Sequence, residues 1–287
     1  MTSIDGKTKL LAVFGNPVGH SKSPLMQNAL LEHFGINAVY VPLCPPVDHL
    51  KEAIEGFRTL GFLGANVTIP FKEMVGAYLD ELSPISKFTG SVNTLYWKEG
   101  IVGGSLVGTT TDPYGALQCL AKAHEPVEGR HVAILGNGGA ARAIAFLFHS
   151  LGAQITIVCR DKEKGSHLAQ ALHKANPQKS IPSAVLFENF QNIRDIDIVL
   201  NATSVGMTPH DNLSPLPKEV LRPKMVVCDI VYTPTETKLL REAKEVGCKV
   251  IGGSAMLVYQ GAQSFEYWFP GKKPDIDVMK KALGMEE

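Results

Sequence analysis

The sequence predicts an α/β fold: two α/β units with mostly parallel sheets, followed by a pair of helices. Three observations carry this. Short apolar runs of strand length alternate with helical stretches along nearly the whole chain. A glycine-rich turn, Gly136-Asn137-Gly138-Gly139-Ala140-Ala141, joins one such strand to a small-residue helix. The chain has 287 residues, long for one ordinary domain and enough for two of about 100–200 residues.

Taken in order, Leu10–Phe14 reads as a buried strand closed by Gly15-Asn16-Pro17. Ser23-Pro24 opens a helix to about Phe34, with Ser23 as N-cap and Pro24 at the first helical position. Ala38–Leu43 is strand-like, Asp48–Leu60 helical, Gly64–Ile69 strand-like and Phe71–Leu79 helical. Val92–Trp97 and Ile101–Val107 read as a strand pair around Glu99-Gly100. Asp112-Pro113 starts a helix through about His124, and Glu125 to Gly129 form a linker. A second doubly wound unit follows, with strands at His131–Leu135, Gln154–Cys159, Ile196–Leu200, Met225–Asp229 and Lys249–Ile251. Its helices include the one after the glycine turn, to Leu151, and Thr237–Val246. Ser254–Phe269 and Asp275–Leu283 are the trailing helical pair.

Composition narrows the function classes. Lys plus Arg equal Asp plus Glu, at 28 each, so no broad basic surface is present for nucleic acid. Any anion site must be local. No apolar run is long enough to cross a bilayer, and the polar start lacks a signal-peptide core, so cytoplasm is the expected compartment. The five cysteines form no CxxC pair and read as free thiols in a reducing environment. The nine histidines are scattered and suggest no metal site.

Gly136-x-Gly138-x-x-Ala141 lies directly after a strand and opens a helix, the context in which this pattern binds a dinucleotide. Gly136 makes the turn, Gly138 lets backbone approach a pyrophosphate, and Ala141 lets the helix pack closely. The free N–H groups of the helix start then face the phosphates. A tight turn without ligand would use the same glycines, but strand and helix on either side favour the Rossmann-type reading. The end of the next strand selects the cofactor. An acid there holds a ribose hydroxyl; here Cys159 is followed by Arg160, Asp161 and Lys164. Arg160 and Lys164 favour a 2′-phosphate, hence NADP. Asp161 has two roles open to it, ribose acceptor or cap of the following helix.

Three more strand-to-helix junctions carry polar groups. Ser21 and Ser23 place two hydroxyls at a helix start, where capping needs only one of them and a carboxylate would use both. The run Asn66-Val67-Thr68-Ile69-Pro70-Phe71-Lys72 supplies an amide, a hydroxyl and a lysine. Lys72 falls in the expected helix's first turn, where a solvated surface lysine is the ordinary reading, but where the dipole also disfavours a cation, which would suit proton transfer near neutral pH. Asp112 stands at the third junction, as an N-cap candidate whose carboxylate could also serve chemistry. Loops of this kind form the ligand clefts of α/β proteins.

With these residues in place, the chain resembles the shikimate dehydrogenase family. The resemblance rests on Ser21-Lys22-Ser23-Pro24, Asn66 to Lys72, Val92-Asn93-Thr94, Thr111-Asp112, Gly136 to Ala143, Asn201-Ala202-Thr203-Ser204 and Met256 to Gln260, in the family's order and across nearly the whole chain. It implies reversible reduction of 3-dehydroshikimate to shikimate with NADP(H), on the route to chorismate and the aromatic amino acids. It implies a discontinuous substrate domain, 1–111 with 254–287, a Rossmann domain over 112–253, and a substrate cleft between them. It implies that Ser21 and Ser23 hold the substrate carboxylate, with Tyr232 nearby. Thr68, Asn93 and Gln260 would bind the ring hydroxyls, Asn66 would belong to the same substrate site, and Lys72 with Asp112 would form the acid–base pair at C3. Gly136, Asn137, Gly138, Gly139 and Ala140 would cradle the pyrophosphate. Arg160, Asp161 and Lys164 would face the adenosine ribose and its phosphate, and Thr203, Ile230 and Gly253 would complete the cofactor site. The resemblance implies a monomer or homodimer with no nucleic acid, membrane or metal involved.

The sequence departs from the family's common residues at Gln27 (often His), Thr110 (often Asn), Cys159 (often Asn) and Asp161 (often Thr). Asp161 is the feature that favours the neighbouring quinate dehydrogenases, often NAD-linked. A non-catalytic sensor of shikimate or quinate would need neither Lys72 nor Asp112.

Overall fold

The computed structural model describes residues 4–285. The chain forms two compact units, Met1–Thr111 with Val258–Glu287, and Asp112–Leu257.

The first unit runs β1 (Lys9–Phe14), α1 (Ser23–His33), β2 (Ala38–Leu43), α2 (Leu50–Thr59), β3 (Gly64–Val67), β4 (Glu81–Leu82), α3 (Pro84–Thr89), β5 (Thr94–Trp97) and β6 (Leu106–Thr109). Its six strands lie in the order β2-β1-β3-β5-β6-β4. β1 is parallel to β2 and β3, and β4 to β6, whereas β5 runs antiparallel to both β3 and β6. That one reversed strand has a functional consequence. It brings the beginning of β5 to the sheet edge where β1, β3 and β6 end.

The second unit runs α4 (Asp112–Lys122), β7 (His131–Leu135), α5 (Gly139–Ser150), β8 (Gln154–Cys159), α6 (Lys162–Ala175), β9 (Ser183–Leu186), β10 (Ile198–Asn201), β11 (Val226–Asp229), α7 (Lys238–Val246) and β12 (Lys249–Ile251). All its strand pairs are parallel, in the order β12-β11-β10-β7-β8-β9. This is the doubly wound order whose reversal falls between β7 and β10. The strands are buried almost throughout, so their sequences read as apolar runs without alternation. The chain ends with α8 (Ser254–Trp268) and α9 (Ile276–Ala282), the latter packed on α1.

Each unit has its own core. Phe14, Phe57, Phe62, Phe71, Leu95 and Trp97 centre the first, with Phe57 and Trp97 stacked at 5.9 Å between ring centroids. Burying one such ring contributes about 1.5–3 kcal/mol. Trp268 of α8 joins this unit by donating its indole N–H to Leu95 O at 2.9 Å. Leu135, Val199, Val227, Leu239 and Leu240 centre the second.

Several local expectations need correction. The helix expected over Phe71–Leu79 is two 3-10 turns, Phe71–Glu73 and Val75–Tyr78. The apolar spacing is helical, but the carbonyl of Lys72 accepts from Val92 N at 2.8 Å. An α-helix would need that carbonyl for the amide four residues on. Lys72 therefore has no α-helix dipole behind it. Ser23 is the first residue of α1 and not its cap. Lys22 holds the cap position without a side-chain bond, and Ser21 Oγ accepts from Ser23 N at 3.3 Å. Asp112 is likewise the first residue of α4. β4, α3 and β9 have no counterpart among the elements expected from the sequence.

Candidate active site

In the first unit the polar residues collect at one edge of the sheet. Ser21 and Ser23 follow β1, Thr68 and Lys72 follow β3, Asn93 precedes β5, and Thr111 follows β6. Backbone bonds lock these segments together. Thr68 N donates to Phe14 O, Val67 N to Asn93 O and Val92 N to Lys72 O, each at 2.8 Å, and Asn93 N donates to Thr109 O at 2.9 Å. Thr68 and Lys72 remain partly accessible at this edge, and Ser23 is nearly covered.

Beneath them lies a buried polar network of amides and hydroxyls. Tyr40 donates its phenol proton to Asn66 Oδ1 at 2.8 Å. Asn66 Nδ2 faces Asn93 O at 3.0 Å, Ser264 Oγ at 3.0 Å and Thr94 Oγ1 at 3.2 Å. Its two N–H bonds are thus spent on protein, so Asn66 supports the site from below. Asn93 Oδ1 accepts from Thr111 N and Thr94 Oγ1, both at 2.8 Å. Asn93 Nδ2 reaches Thr111 Oγ1 at 3.0 Å and Gln260 Oε1 at 3.4 Å. Burial pushes the Tyr40 phenol well above its ordinary value, with a hydrogen bond to Ser23 pulling the other way. Tyr40 therefore links the serine pair to the amide network.

Tyr40, Thr94 and Ser264 were missed by sequence reasoning. Two of them had a legible signal. Ser264 lies four residues after Gln260 on α8, hence on the same helix face. Tyr40 carries the polar atom of an otherwise apolar strand. Gln27, the departure noted above, is fully buried and donates its amide to Gly261 O at 2.9 Å, tying α1 to α8.

In the second unit the glycine-rich turn follows β7 at the reversal of strand order. Gly136 has φ +104°, and a Cβ there would stand 2.9 Å from Thr203 Cγ2. Gly138 caps α5 without a side-chain bond, and nothing lies within 4 Å of where its Cβ would be. The result is an open backbone surface beside the unpaired N–H groups of a twelve-residue helix. It fits a pyrophosphate.

At the end of β8, Asp161 is the N-cap of α6. Its Oδ1 accepts from Glu163 N and Lys164 N, both at 3.1 Å, and Lys164 Nζ lies 3.5 Å from Oδ2. The Lys164 backbone N–H leads in holding this carboxyl below the usual range. Of the two roles the sequence left open, capping is the one the structure displays. Arg160 beside it is exposed. Tyr232, on the loop after β11, is 53% exposed, and Ile230 and Gly253 meet backbone to backbone. Lys72 belongs to the first unit and Asp112 opens the second.

Among the described residues, no group of three or more His, Cys, Asp or Glu could hold a metal ion. No helix among them is long and apolar enough to cross a membrane.

Comparison with known proteins matches three stretches to family models. They are a shikimate dehydrogenase substrate binding domain over residues 13–95, shikimate/quinate 5-dehydrogenase over 119–234, and a shikimate 5'-dehydrogenase C-terminal domain over 253–283. A shikimate dehydrogenase (NADP+) of Pyrococcus furiosus is 45% identical over 278 residues, 97% of this chain and 96% of its own. The crystal structure of a shikimate 5-dehydrogenase from Listeria monocytogenes, in complex with shikimate and NAD, is 35% identical with TM-score 0.87 over 98% of each chain. That of a shikimate 5-dehydrogenase from Thermus thermophilus, in complex with NADP(H) and shikimate, is 35% identical with TM-score 0.83 over 96% of this chain and 98% of its own. With near-complete coverage in sequence and in fold, the chain belongs to the shikimate dehydrogenase family.

Proposed function

We propose that the protein is an NADP-dependent shikimate dehydrogenase, interconverting 3-dehydroshikimate and shikimate in aromatic amino-acid biosynthesis. The observation that carries this reading is the gathering of Ser21, Ser23, Thr68, Lys72, Asn93 and Gln260 at one end of the first unit's fold, in a chain of this family. In this reading residues 1–111 and 254–287 form the substrate domain, and 112–253 the dinucleotide domain. The protein works in the cytoplasm, as a monomer or homodimer, without nucleic acid.

Two hydroxyls and no fixed countercharge suit a carboxylate that must be released after turnover. Ser21 and the Tyr232 phenol donate to that carboxylate, and Ser23 joins them by turning its proton away from the Tyr40 oxygen. Thr68, Asn93 and Gln260 read the ring hydroxyls. Asn93 and Gln260 are held by buried partners, so little ordering remains to be done on binding.

When bound, NADP supplies the hydride acceptor, or NADPH the donor. The chain's task is the proton. Lys72 Nζ takes the proton from the substrate hydroxyl as that oxygen becomes a carbonyl, and returns it in the reverse direction. Asp112 accepts a hydrogen bond that orients the same oxygen. The Gly136–Ala140 backbone holds the pyrophosphate, with Thr203 beneath Gly136. Arg160 and Lys164 serve the 2′-phosphate, and Asp161 fixes the helix that carries Lys164. This division favours NADP over NAD.

The reading is tested by incubating the protein with shikimate and NADP+ and analysing the products by mass and absorbance. Loss of two hydrogens from shikimate, matched by an equal amount of reduced nicotinamide, is expected. Binding of both ligands without turnover would replace the enzyme with a sensor.

A further inference from the structure

One buried ionisable group in the second unit is left unused by this chemistry. Asp229, the last residue of β11, is fully covered and forms no ion pair among the described residues. Its carboxyl is met by three donors. Val231 N–H and Asn201 Nδ2 both donate to Oδ1 at 3.0 Å, and Thr237 Oγ1 donates to Oδ2 at 2.7 Å. Burial pushes this carboxyl upward, and the three hydrogen bonds oppose it.

The donor pattern demands an acceptor at both oxygens. Thr237 caps α7, accepting from Leu240 N at 3.4 Å, and donates its own proton to Asp229. The two donors on Oδ1 are N–H groups with no acceptor role at that atom. The nine-residue α7, capped by Thr237, presents its positive dipole end to the carboxylate.

The bonds continue outward in two directions. Asn201 stands opposite Asp229 on one side and Leu135, the residue before Gly136, on the other. Asn201 Oδ1 accepts from Thr203 Oγ1 at 2.7 Å and Thr203 N at 3.0 Å. Thr203 Cγ2 in turn forms the floor against Gly136. In the other direction, the Val231 bond fixes the turn through Ile230. The backbone of that turn leaves no room for a Cβ at Gly253, which would fall 2.6 Å from Ile230 O.

We infer that Asp229 is a positioning residue for the dinucleotide: through Asn201–Thr203 and through Val231 it holds the Gly136 turn and the Ile230–Gly253 contact in register. The inference rests on the cofactor reading above. Asp229 touches no ligand itself in this scheme. Its carboxylate is the common acceptor from which both cofactor-facing loops hang. An amide in its place could keep the two N–H donors on its oxygen, but it would face Thr237 with an N–H, so the hydroxyl would have to reverse from donor to acceptor and the bonds to a carboxylate would be lost.

The test is calorimetric titration of the full-length protein with NADP+ and, separately, with shikimate, in wild type, Asp229→Asn, Thr237→Val and Thr237→Ser. Each loses or keeps a hydrogen bond to a charged group, so Asp229→Asn and Thr237→Val should weaken NADP+ by about tenfold. Shikimate affinity should stay within about twofold, and Thr237→Ser should restore NADP+ binding. Amide exchange at Val231 should quicken in Asp229→Asn. Should that variant fail to fold, the Thr237 pair decides. Unchanged NADP+ affinity in Thr237→Val, with only the melting temperature lowered, would reduce the carboxylate to a structural role and overturn the inference. Absence of NADP+ binding by the wild-type protein would instead overturn the cofactor reading on which it stands.

Discussion

The two units solve the same problem, holding polar groups still at the end of a sheet, with different means. In the first, Asn66, Asn93, Thr94, Thr111 and Ser264 form a neutral network in which hydroxyls and amides both donate and accept. In the second, a single buried carboxylate takes three donors and passes order outward. The difference follows from what each must present. The substrate is a small polyol whose groups must be matched one by one, and neutral partners do this without a desolvated charge. In the proposed reading the dinucleotide is gripped mostly by backbone, so its unit needs loops of fixed shape, and a carboxylate collecting several N–H and O–H groups fixes shape strongly.

The comparison breaks first at Lys72, the acid–base group of the proposed reaction. Lys72→Ala should lower kcat by about 10²–10⁴-fold, the usual share of general acid–base catalysis, with KM for shikimate and NADP+ much less changed. Turnover near the wild-type rate would remove Lys72 from the chemistry. Next comes the cofactor side. Arg160→Gln should raise KM for NADP+ by about tenfold and leave that for NAD+ nearly unchanged, because a charge-assisted bond to a phosphate is lost. Equal effects on both cofactors would place the guanidinium elsewhere than at the 2′-phosphate.

The neutral network is probed by Ser264→Ala. Ser264 bonds to Asn66, Thr94 and the Gln260 carbonyl, but neighbours can take over part of its role. Unfolding in urea should show a loss of about 1–2 kcal/mol, together with weaker shikimate binding and unchanged NADP+ binding. The smallest effect concerns Asp80, whose carboxyl is held low by Arg58 at 2.8 Å and by Leu106 N at 2.7 Å. A lowered folded pKa contributes stability above the unfolded carboxyl value, lost as pH falls through the folded one. Asp80→Asn should therefore be slightly less stable than wild type near pH 7, with the difference shrinking as pH falls below the ordinary carboxylate range and solvent screening keeping it small throughout. A gap that widens on acidification would contradict this sign.

What could be read from the sequence depended on how local its cause was. β7, the glycine turn and α5 follow from a single contiguous signal, and the structure places them within a few residues of expectation. The 3-10 turns at Phe71–Tyr78 did not, because the competitor for the Lys72 carbonyl is Val92, twenty residues on. β4 has two residues and no periodicity to detect. At the site, Ser21, Ser23, Thr68 and Lys72 stood at visible strand ends. Thr94 serves only through tertiary partners, which no spacing announces, and Tyr40 showed only as the polar atom of an apolar strand, without its partner. Asp161 was ambiguous in sequence because a cap and a ribose acceptor are the same residue type at the same place. Only its bonds to Glu163 N and Lys164 N distinguish them.

The central claim, a shikimate site resting on a network of amides and hydroxyls and paired with a cofactor site for NADP, is tested most directly by initial rates of nicotinamide reduction. Shikimate and quinate would each be crossed with NADP+ and NAD+ on the wild-type protein. The account predicts that shikimate with NADP+ gives the highest kcat/KM of the four. A higher value for quinate with NAD+ would contradict it, and would make Asp161 a ribose ligand as well as a helix cap.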